Sequence, residues 1–307
     1  MRVRVPATSA NIGPAFDGAG LALARYDVLE FSTAASGLEV AMTGEGARSL
    51  PADERHLVVR AFRAACDELG WHPPGLRVVA ENGIPQGRGM GSSAAAVVAG
   101  VIGAWELCPD VEARDDEAVL RLVTELEGHP DNVAACLLGG ATLSWVQDGG
   151  ARAVRLEAHP DVLPVLLVPV AELSTHVARG LLPELVPHAD AAFNAGRSAL
   201  LVHALTSAPG LLLEATEDRL HQRQRAAAMP GSAELLVRLR AAGHAAVVSG
   251  AGPSLLVLAR RSPDDSAAAA QVRRVTDLTP PGWTVLPLGV DSIGADAQVG
   301  PPEVSSR

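Results

Sequence analysis

Polar and apolar residues alternate from Arg2 to Pro6, the period of a strand with one buried face, and Tyr26–Ala34 and Leu38–Met42 read the same way. The N-terminal stretch up to these strands is therefore expected to be mostly β. The period then changes. Leu57, Val58, Ala61, Phe62, Ala65 and Leu69 recur at helical spacing, with Gly70 placed to stop the helix. A short β-branched strand over Leu76–Glu81 is followed by the glycine-rich loop Gly83–Gly91. Ser92 or Ser93 then opens a helix that runs to Leu107. Asp115 and Asp116 begin a further helix reaching Glu125, and Pro130 marks another helix start.

Beyond Gly139 the pattern predicts strands at Ala141–Trp145, Ala153–Leu156 and Val165–Val168, then helices at Thr175–Leu182, Asp190–Thr206 and Ser232–Ala242. Strands at Ala245–Ser249 and Ser254–Ala259 flank a second glycine turn, "GAGP". A helix over Pro263–Val275 and a strand at Thr284–Pro287 complete an α+β second half. The polar tail from Asp291 to Arg307, rich in Gly, Pro and Ser, is expected to fray. A chain of 307 residues has room for two domains of roughly 150 residues each. The expected division is 1–158, 159–290 and a tail over 291–307.

Composition narrows the chemistry. The longest unbroken apolar run, Ala94–Trp105, is shorter than the roughly 18 residues of a membrane span, so no membrane association is expected. The N-terminus lacks an apolar leader segment, and Cys66, Cys108 and Cys136 lack CxxC spacing, which together predict a cytoplasmic protein with reduced thiols. Net charge is −10, from 35 acidic and 25 basic residues without a basic block, so nucleic acid is not an expected partner. The chain contains no lysine, and all 25 basic residues are arginine. A Walker A phosphate loop, a protein-kinase strand lysine and a pyridoxal phosphate Schiff base are thereby excluded. Any phosphate site must be built from backbone N–H groups, arginine, hydroxyls and metal.

The stretch "GIPQGRGMGSSAA" offers such a site. In strand, glycine loop, helix order, successive N–H groups can converge on an anion and the helix N-terminus adds its positive end. Gly87, Gly89 and Gly91 permit close backbone approach, and the Ser92 and Ser93 hydroxyls can reach a phosphate oxygen or its magnesium ion. The spacing G-x-G-x-G-S-S is not that of a dinucleotide fingerprint. On glycines alone, a plain turn before a capped helix competes. Two further stretches bear on the choice. "PATSANIGPAFD" sets Thr8, Ser9, Asn11 and Asp17 directly after a core strand, and "EGHPDNVAACLLGG" gathers Glu127, His129, Asp131 and Asn132 around a helix start. Thr8 and Ser9 could simply satisfy a tight turn, and Asp131 could simply favour the first helical turn.

With "VVSGAGPSLLVL", these stretches stand in the order and approximate separation found in the GHMP small-molecule kinases, and the chain resembles the homoserine kinase branch of that family from Arg2 to Pro287. The resemblance implies a two-domain α+β fold. Its N-terminal domain would be ribosomal S5 domain 2-like with a left-handed βαβ crossover, and its C-terminal domain ferredoxin-like. It implies ATP and L-homoserine as substrates, with magnesium, and it is compatible with a homodimer. Carried over by motif, ATP would meet Pro85, Gly87, Arg88, Gly89, Met90, Gly91, Ser92, Ser93, Ala94, Gly250 and Gly252. The amino acid would meet Asn11, Asp17, His129, Thr175, Arg179 and Arg225, with Asp131 and Asn132 at the reacting hydroxyl. Magnesium would be held by Ser93 and either Glu125 or Glu127, with Glu125 narrowly preferred. Two departures stand out: Ala15 replaces the glycine of "GPGFD" and Met90 the leucine of "GLGSS". Rival readings are a kinase of the same family acting on mevalonate, shikimate or a sugar, and a catalytically silent ligand sensor.

Overall fold

A computed structural model describes residues 1–147, 149–261 and 265–298. The chain opens with β1 (Arg2–Ala10), β2 (Ala19–Ala34) and β3 (Gly37–Gly44), crosses through α1 (Leu57–Leu69) to β4 (Gly75–Asn82), and continues as α2 (Ser92–Leu107), α3 (Asp116–Glu127) and α4 (Pro130–Leu138). The hairpin of β5 (Ala141–Gln147) and β6 (Gly150–Leu156) closes this half. Long β2 organises the sheet: it pairs with β1 along one edge and with β4 and β5 on the other, all antiparallel, while β3 lies parallel to β4. α1 is therefore the crossover that parallel neighbours require.

Helix boundaries follow local chemistry. His56 Nδ1 accepts from the Val58 amide and Asp115 Oδ1 from the Glu117 and Ala118 amides, capping α1 and α3 at their starts. Gly70 and Gly128 end the same helices in left-handed conformation. α2 has no polar face because it packs against α1, α3, α4 and the sheet at once. Gly100 lets α1 close on it, since a Cβ there would overlap the Val58 carbonyl.

The second half begins with β7 (Val162–Val168), followed by α5 (Thr175–Gly180), α6 (His188–Thr206), α7 (Leu212–Ala215), α8 (Gln222–Arg225) and α9 (Pro230–Ala241). Strands β8 (Ala246–Val248) and β9 (Leu255–Arg260), helix α10 (Asp265–Leu278) and β10 (Thr284–Pro287) complete it. The sheet order is β10-β7-β9-β8, antiparallel throughout, which is the order of a ferredoxin-like βαββαβ unit. Val165, Leu167, Val248, Leu255 and Val257 on one sheet face pack with Leu235, Leu239 and Val275 of the covering helices.

Two expectations are corrected and a third falls outside the described residues. β1 runs on through Thr8 and Ser9, which pair with Ala22 and Leu21 and are fully buried, so these are strand residues and not turn formers. The expected start of the last helix at Pro263 lies outside the described residues. Residues 291–298 do not fray: β11 (Asp296–Gln298) adds to β1, and the chain thus returns to the first sheet. The anchor is Asp291, 4% exposed, which accepts from Tyr26 Oη at 2.9 Å and from the Ile293 and Gly294 amides at 3.0 and 2.6 Å. A composition-based reading misses this because one buried carboxylate, not a run of apolar residues, holds the segment.

Removing that acceptor strands three donors. Asp291→Ala is expected to lower unfolding free energy by about 3 kcal/mol, read by urea denaturation. A change within error would show the segment to be dispensable.

Candidate active site

The site is built where three backbone segments meet. After β4 the chain turns into the glycine loop, whose start is fixed by Asp27: its Oδ1 accepts from the Gly83 and Ile84 amides at 2.7 and 2.9 Å. Gly87, Gly89 and Gly91 then adopt φ of 62°, 65° and 68°. The Thr8 amide donates to the Met90 carbonyl at 3.0 Å, and a Cβ on Gly91 would overlap Thr8 Oγ1. On the other side, the turn Ser249–Gly252 between β8 and β9 closes in. Ser249 Oγ donates to the Gly89 carbonyl at 2.6 Å and lies 2.8 Å from Ser9 Oγ, while the Gly250 amide donates to the Ala10 carbonyl at 2.9 Å.

Gly91 is the N-cap of α2 and supplies no side-chain cap. The first amides of this helix, at Ser92, Ser93 and Ala94, therefore have no side-chain cap at the positive end of a 16-residue helix, and Ser92 and Ser93 line the cleft. α4 also begins without a side-chain cap, at His129.

Acidic and amide groups form one wall. Ser93 Oγ donates to Glu127 Oε2 at 2.7 Å. Burial pushes the Glu127 carboxyl pKa up, against the Ser93 hydrogen bond and His129, so this carboxylate stands to gain from a cation. Thr8 Oγ1 donates to Asn132 Oδ1 at 2.8 Å. Asp131 is wholly buried beneath, its Oδ1 accepting from the Asn132 amide at 2.8 Å and lying 3.2 Å from His129 Nδ1, off the line of a hydrogen bond. Asp131 nevertheless raises the His129 pKa, burial opposing.

Arginines form the other wall. Arg179 of α5 grips Asp17 in a two-bond fork, Nη2 to Oδ1 at 2.6 Å and Nη1 to Oδ2 at 3.1 Å. Arg225 at the end of α8 is 1% exposed; its Nη1 donates to the Gly250 carbonyl at 3.2 Å, and its buried Nε has no partner. Both guanidinium groups lie over the Phe16 ring, at 5.5 and 5.1 Å from its centroid. Asn11 and Asp17 hold φ of 56° and 55°, a left-handed geometry that costs side-chain-bearing residues about 1–3 kcal/mol each. Asn11 Oδ1 accepts from the Asp17 amide at 2.8 Å and closes the loop between them. A cleft of about 300 Å³ joins these walls, running from apolar Leu50, Leu57, Pro85 and Ala96 past the glycine loop to Asn11, Arg179 and Arg225.

Residues 56–140 match the family described as GHMP kinases N terminal domain, and residues 197–277 the one described as GHMP kinases C terminal. The homoserine kinase of Streptomyces avermitilis is 55% identical over 96% of this chain and 94% of that protein. That of Clavibacter michiganensis is 52% identical over 97% and 94%. This chain belongs to the homoserine kinase branch of the GHMP kinases. The crystal structure of a family member, homoserine kinase from Cytophaga hutchinsonii, superposes with TM-score 0.82 at 27% identity, covering 96% of both chains. Mevalonate kinase of L. major, in complex with R-mevalonate, shares the fold at TM-score 0.67 and 18% identity, covering 96% of this chain and 97% of that one.

Most of the residues expected from the homoserine kinase motifs converge on this cleft: Asn11, Pro85, Gly87, Gly89, Met90, Gly91, Ser92, Ser93, Glu127, His129, Asn132, Thr175, Arg179, Arg225, Gly250 and Gly252 line it. Asp17 reaches it through Arg179. Four others do not line it either. Ala94 is buried in α2 and offers only its amide. Arg88 turns outward, donating to the carbonyls of Gln86, Pro169 and Val170, and pins the loop to the segment after β7. Asp131 supports from below. Glu125 lies on another face of α3, 3.5 Å from Arg121, whereas Glu127, two residues on, is bonded to Ser93. Two residues on a helix are about 200° apart, so the two carboxylates do not share one face. Residues not expected at the site include Phe16, Asp27, His221 and Ser249; Phe16 and Ser249 stand inside the quoted motifs, whereas Asp27 and His221 lie outside them and carry no sequence signal. Ala15 occupies its position without a positive φ, so its Cβ is tolerated.

Burial drives the Asp27 pKa from 3.8 up to about 6, against the two amides it accepts from. The folded state thus holds this proton more tightly than the unfolded chain. Its stabilising contribution is complete below about pH 4 and is lost as pH rises through about 6. Asp27→Asn keeps an oxygen for both amides without the charge. It is expected to be more stable than the parent by about 2 kcal/mol at pH 8, with the difference vanishing near pH 4 in urea titrations. An equal difference at both pH values would contradict the assignment.

Proposed function

We propose that the chain transfers the γ-phosphoryl group of ATP to the side-chain hydroxyl of L-homoserine, giving O-phospho-L-homoserine, a step toward threonine. The observation that carries this is the joining, in one cleft, of an uncapped helix N-terminus behind a glycine loop to two arginines beside a carboxylate. The first holds a polyphosphate in a chain that has no lysine to do so. The second is suited to the head group of an α-amino acid.

The nucleoside lies at the apolar end against Leu50, Leu57, Pro85 and Ala96, with the triphosphate on the amides of Gly89 to Ala94. Ser93 Oγ and Glu127 are hard oxygen donors that fit magnesium, which keeps few protein ligands and takes others from phosphate and water. Among the described residues no group of three or more His, Cys, Asp or Glu could hold a metal alone, which suits an ion delivered with its nucleotide. When bound, magnesium neutralises charge on the phosphoryl oxygens.

The substrate is a zwitterion, and so is the pair that greets it. Asp17 and Arg179 are 39% and 33% exposed, and an ion pair so exposed contributes only about 0–1 kcal/mol. Opening it costs little. The substrate ammonium then replaces Arg179 on Asp17, and its carboxylate takes the forks of Arg179 and Arg225, including the unpartnered Nε. Thr175 borders the carboxylate, Asn11 the ammonium. Asn132 orients the hydroxyl, held in turn by Thr8 and Asp131, and His129 packs over it. Because transfer through a loose transition state relies on alignment and charge neutralisation, Asp131 serves by fixing Asn132 and His129. We place the reaction in the cytoplasm, a reading supported by three free, buried cysteines. A kinase of the same fold acting on mevalonate is the second reading; such a substrate has no ammonium group for Asp17.

ADP release with magnesium-ATP is expected from L-homoserine and not from mevalonate, with L-serine a poor substrate; mevalonate turnover would reverse the choice. Arg179→Ala is expected to raise the homoserine KM about 100-fold, as loss of a two-bond charged contact implies, with a smaller effect on kcat. Glu127→Gln is expected to cut kcat about 100-fold at fixed magnesium, whereas Glu125→Gln leaves it near the parent value. The opposite ranking of the two glutamates would reverse the metal assignment.

A further inference from the structure

We infer that His221 is a positioning residue for the substrate carboxylate, a neutral imidazole that accepts a hydrogen bond from Arg225 and so fixes which edge of that guanidinium faces the cleft. The inference rests on the reading of Arg225 as a carboxylate partner.

His221 is fully buried between the 11–17 loop and α8. Its Nε2 lies 2.7 Å from the Gly13 carbonyl. A carbonyl oxygen only accepts, so Nε2 carries the proton. In a neutral ring Nδ1 is then bare, and Arg225 Nη1, 3.4 Å away, is its donor. Burial, the largest influence, lowers the His221 pKa despite Asp218 nearby, which agrees with the neutral form the hydrogen bonds require. Arg225 Nη1 is thus tied at two points, His221 Nδ1 and the Gly250 carbonyl. The opposite edge, with the unpartnered Nε, is left for the ligand.

The ring is held from behind. Asp218 accepts from the Leu220, His221 and Gln222 amides at 2.9, 3.1 and 2.8 Å and from Asn194 Nδ2 at 2.9 Å, which sets the backbone at the start of α8. In front, the Phe16 ring centroid is 5.0 Å from the imidazole. His221 therefore links the loop that carries Asp17 to the helix that carries Arg225. A simple filler of the space would need neither a defined tautomer nor an acceptor toward Arg225.

The two amide replacements separate these functions. His221→Asn keeps an oxygen near the Nδ1 position and loses the bond to Gly13; His221→Gln keeps a donor toward Gly13 and loses the acceptor toward Arg225. Steady-state kinetics are expected to show the homoserine KM raised about tenfold in His221→Gln, the worth of one hydrogen bond to a charged group, and less than threefold in His221→Asn. The ATP KM and kcat should change little in either. Equal homoserine KM values in the two variants, the reverse order, or parallel losses in kcat and ATP KM would overturn the inference. Arg225→Lys, measured alongside, distinguishes the two levels: an unchanged homoserine KM there removes the carboxylate reading itself. A raised value there with His221→Gln at the parent level removes only the role of His221.

Discussion

The rest of the site depends on a crossing of backbones too close for side chains. At Gly89 and Gly91 the phosphate loop passes the turn at Ser249 and the strand at Thr8, and a Cβ on either glycine would overlap them. Such contact forces glycine, and positive φ at both positions adds a second reason for it. What is gained is registration. The loop belongs to the first sheet's domain and the turn to the second, yet Ser249 bonds to the Gly89 carbonyl and Gly250 to the Ala10 carbonyl. The uncapped start of α2 is thereby fixed against the segment that also holds Arg225 Nη1.

Charge in the cleft is arranged by sign. Glu127 with Ser93 offers a place for a cation at the phosphate end, and Arg179 and Arg225 offer anion contacts at the other, with Asp17 between them and solvent. Burial penalises Glu127 and Arg225 in their charged forms, and each gains when a ligand of opposite sign arrives. Asp17 and Arg179, half-exposed, satisfy one another meanwhile. Two deeply buried charged groups stay incompletely paired, Asp131 at Oδ2 and Arg225 at Nε, and around Arg225 the Phe16 ring, the Gly250 carbonyl and His221 share the burden.

Sequence reveals these features unevenly, for physical reasons. Strand and helix periods located most elements, whereas the glycine loop by itself left a plain turn before a capped helix open, and only the neighbouring motifs pointed it toward a phosphate. The arginine wall was legible only through motif resemblance, since 25 arginines in one chain carry no individual signal. Glu125 stood narrowly ahead of Glu127 because the phase of α3 relative to Ser93 is not visible in the sequence. The return of residues 291–298 to β1 was hidden because three hydrogen bonds to Asp291 leave no hydrophobic trace. Arg88 misled in another way: it stands inside the phosphate motif, but three backbone carbonyls satisfy its guanidinium outside the cleft.

The division of labour between the halves follows from topology. A ferredoxin-like unit needs one helix between its first and second strands, yet here β7 and β8 are separated by α5 through α9. α5 brings Arg179 and α8 brings His221's neighbour Arg225, while α6 contributes Asn194, which holds Asp218. The glycine loop, by contrast, follows β4 and opens α2 in the first half. The glycine loop and the arginine wall thus come from different halves, with Arg179 and Arg225 on helices added to a sheet that does not need them.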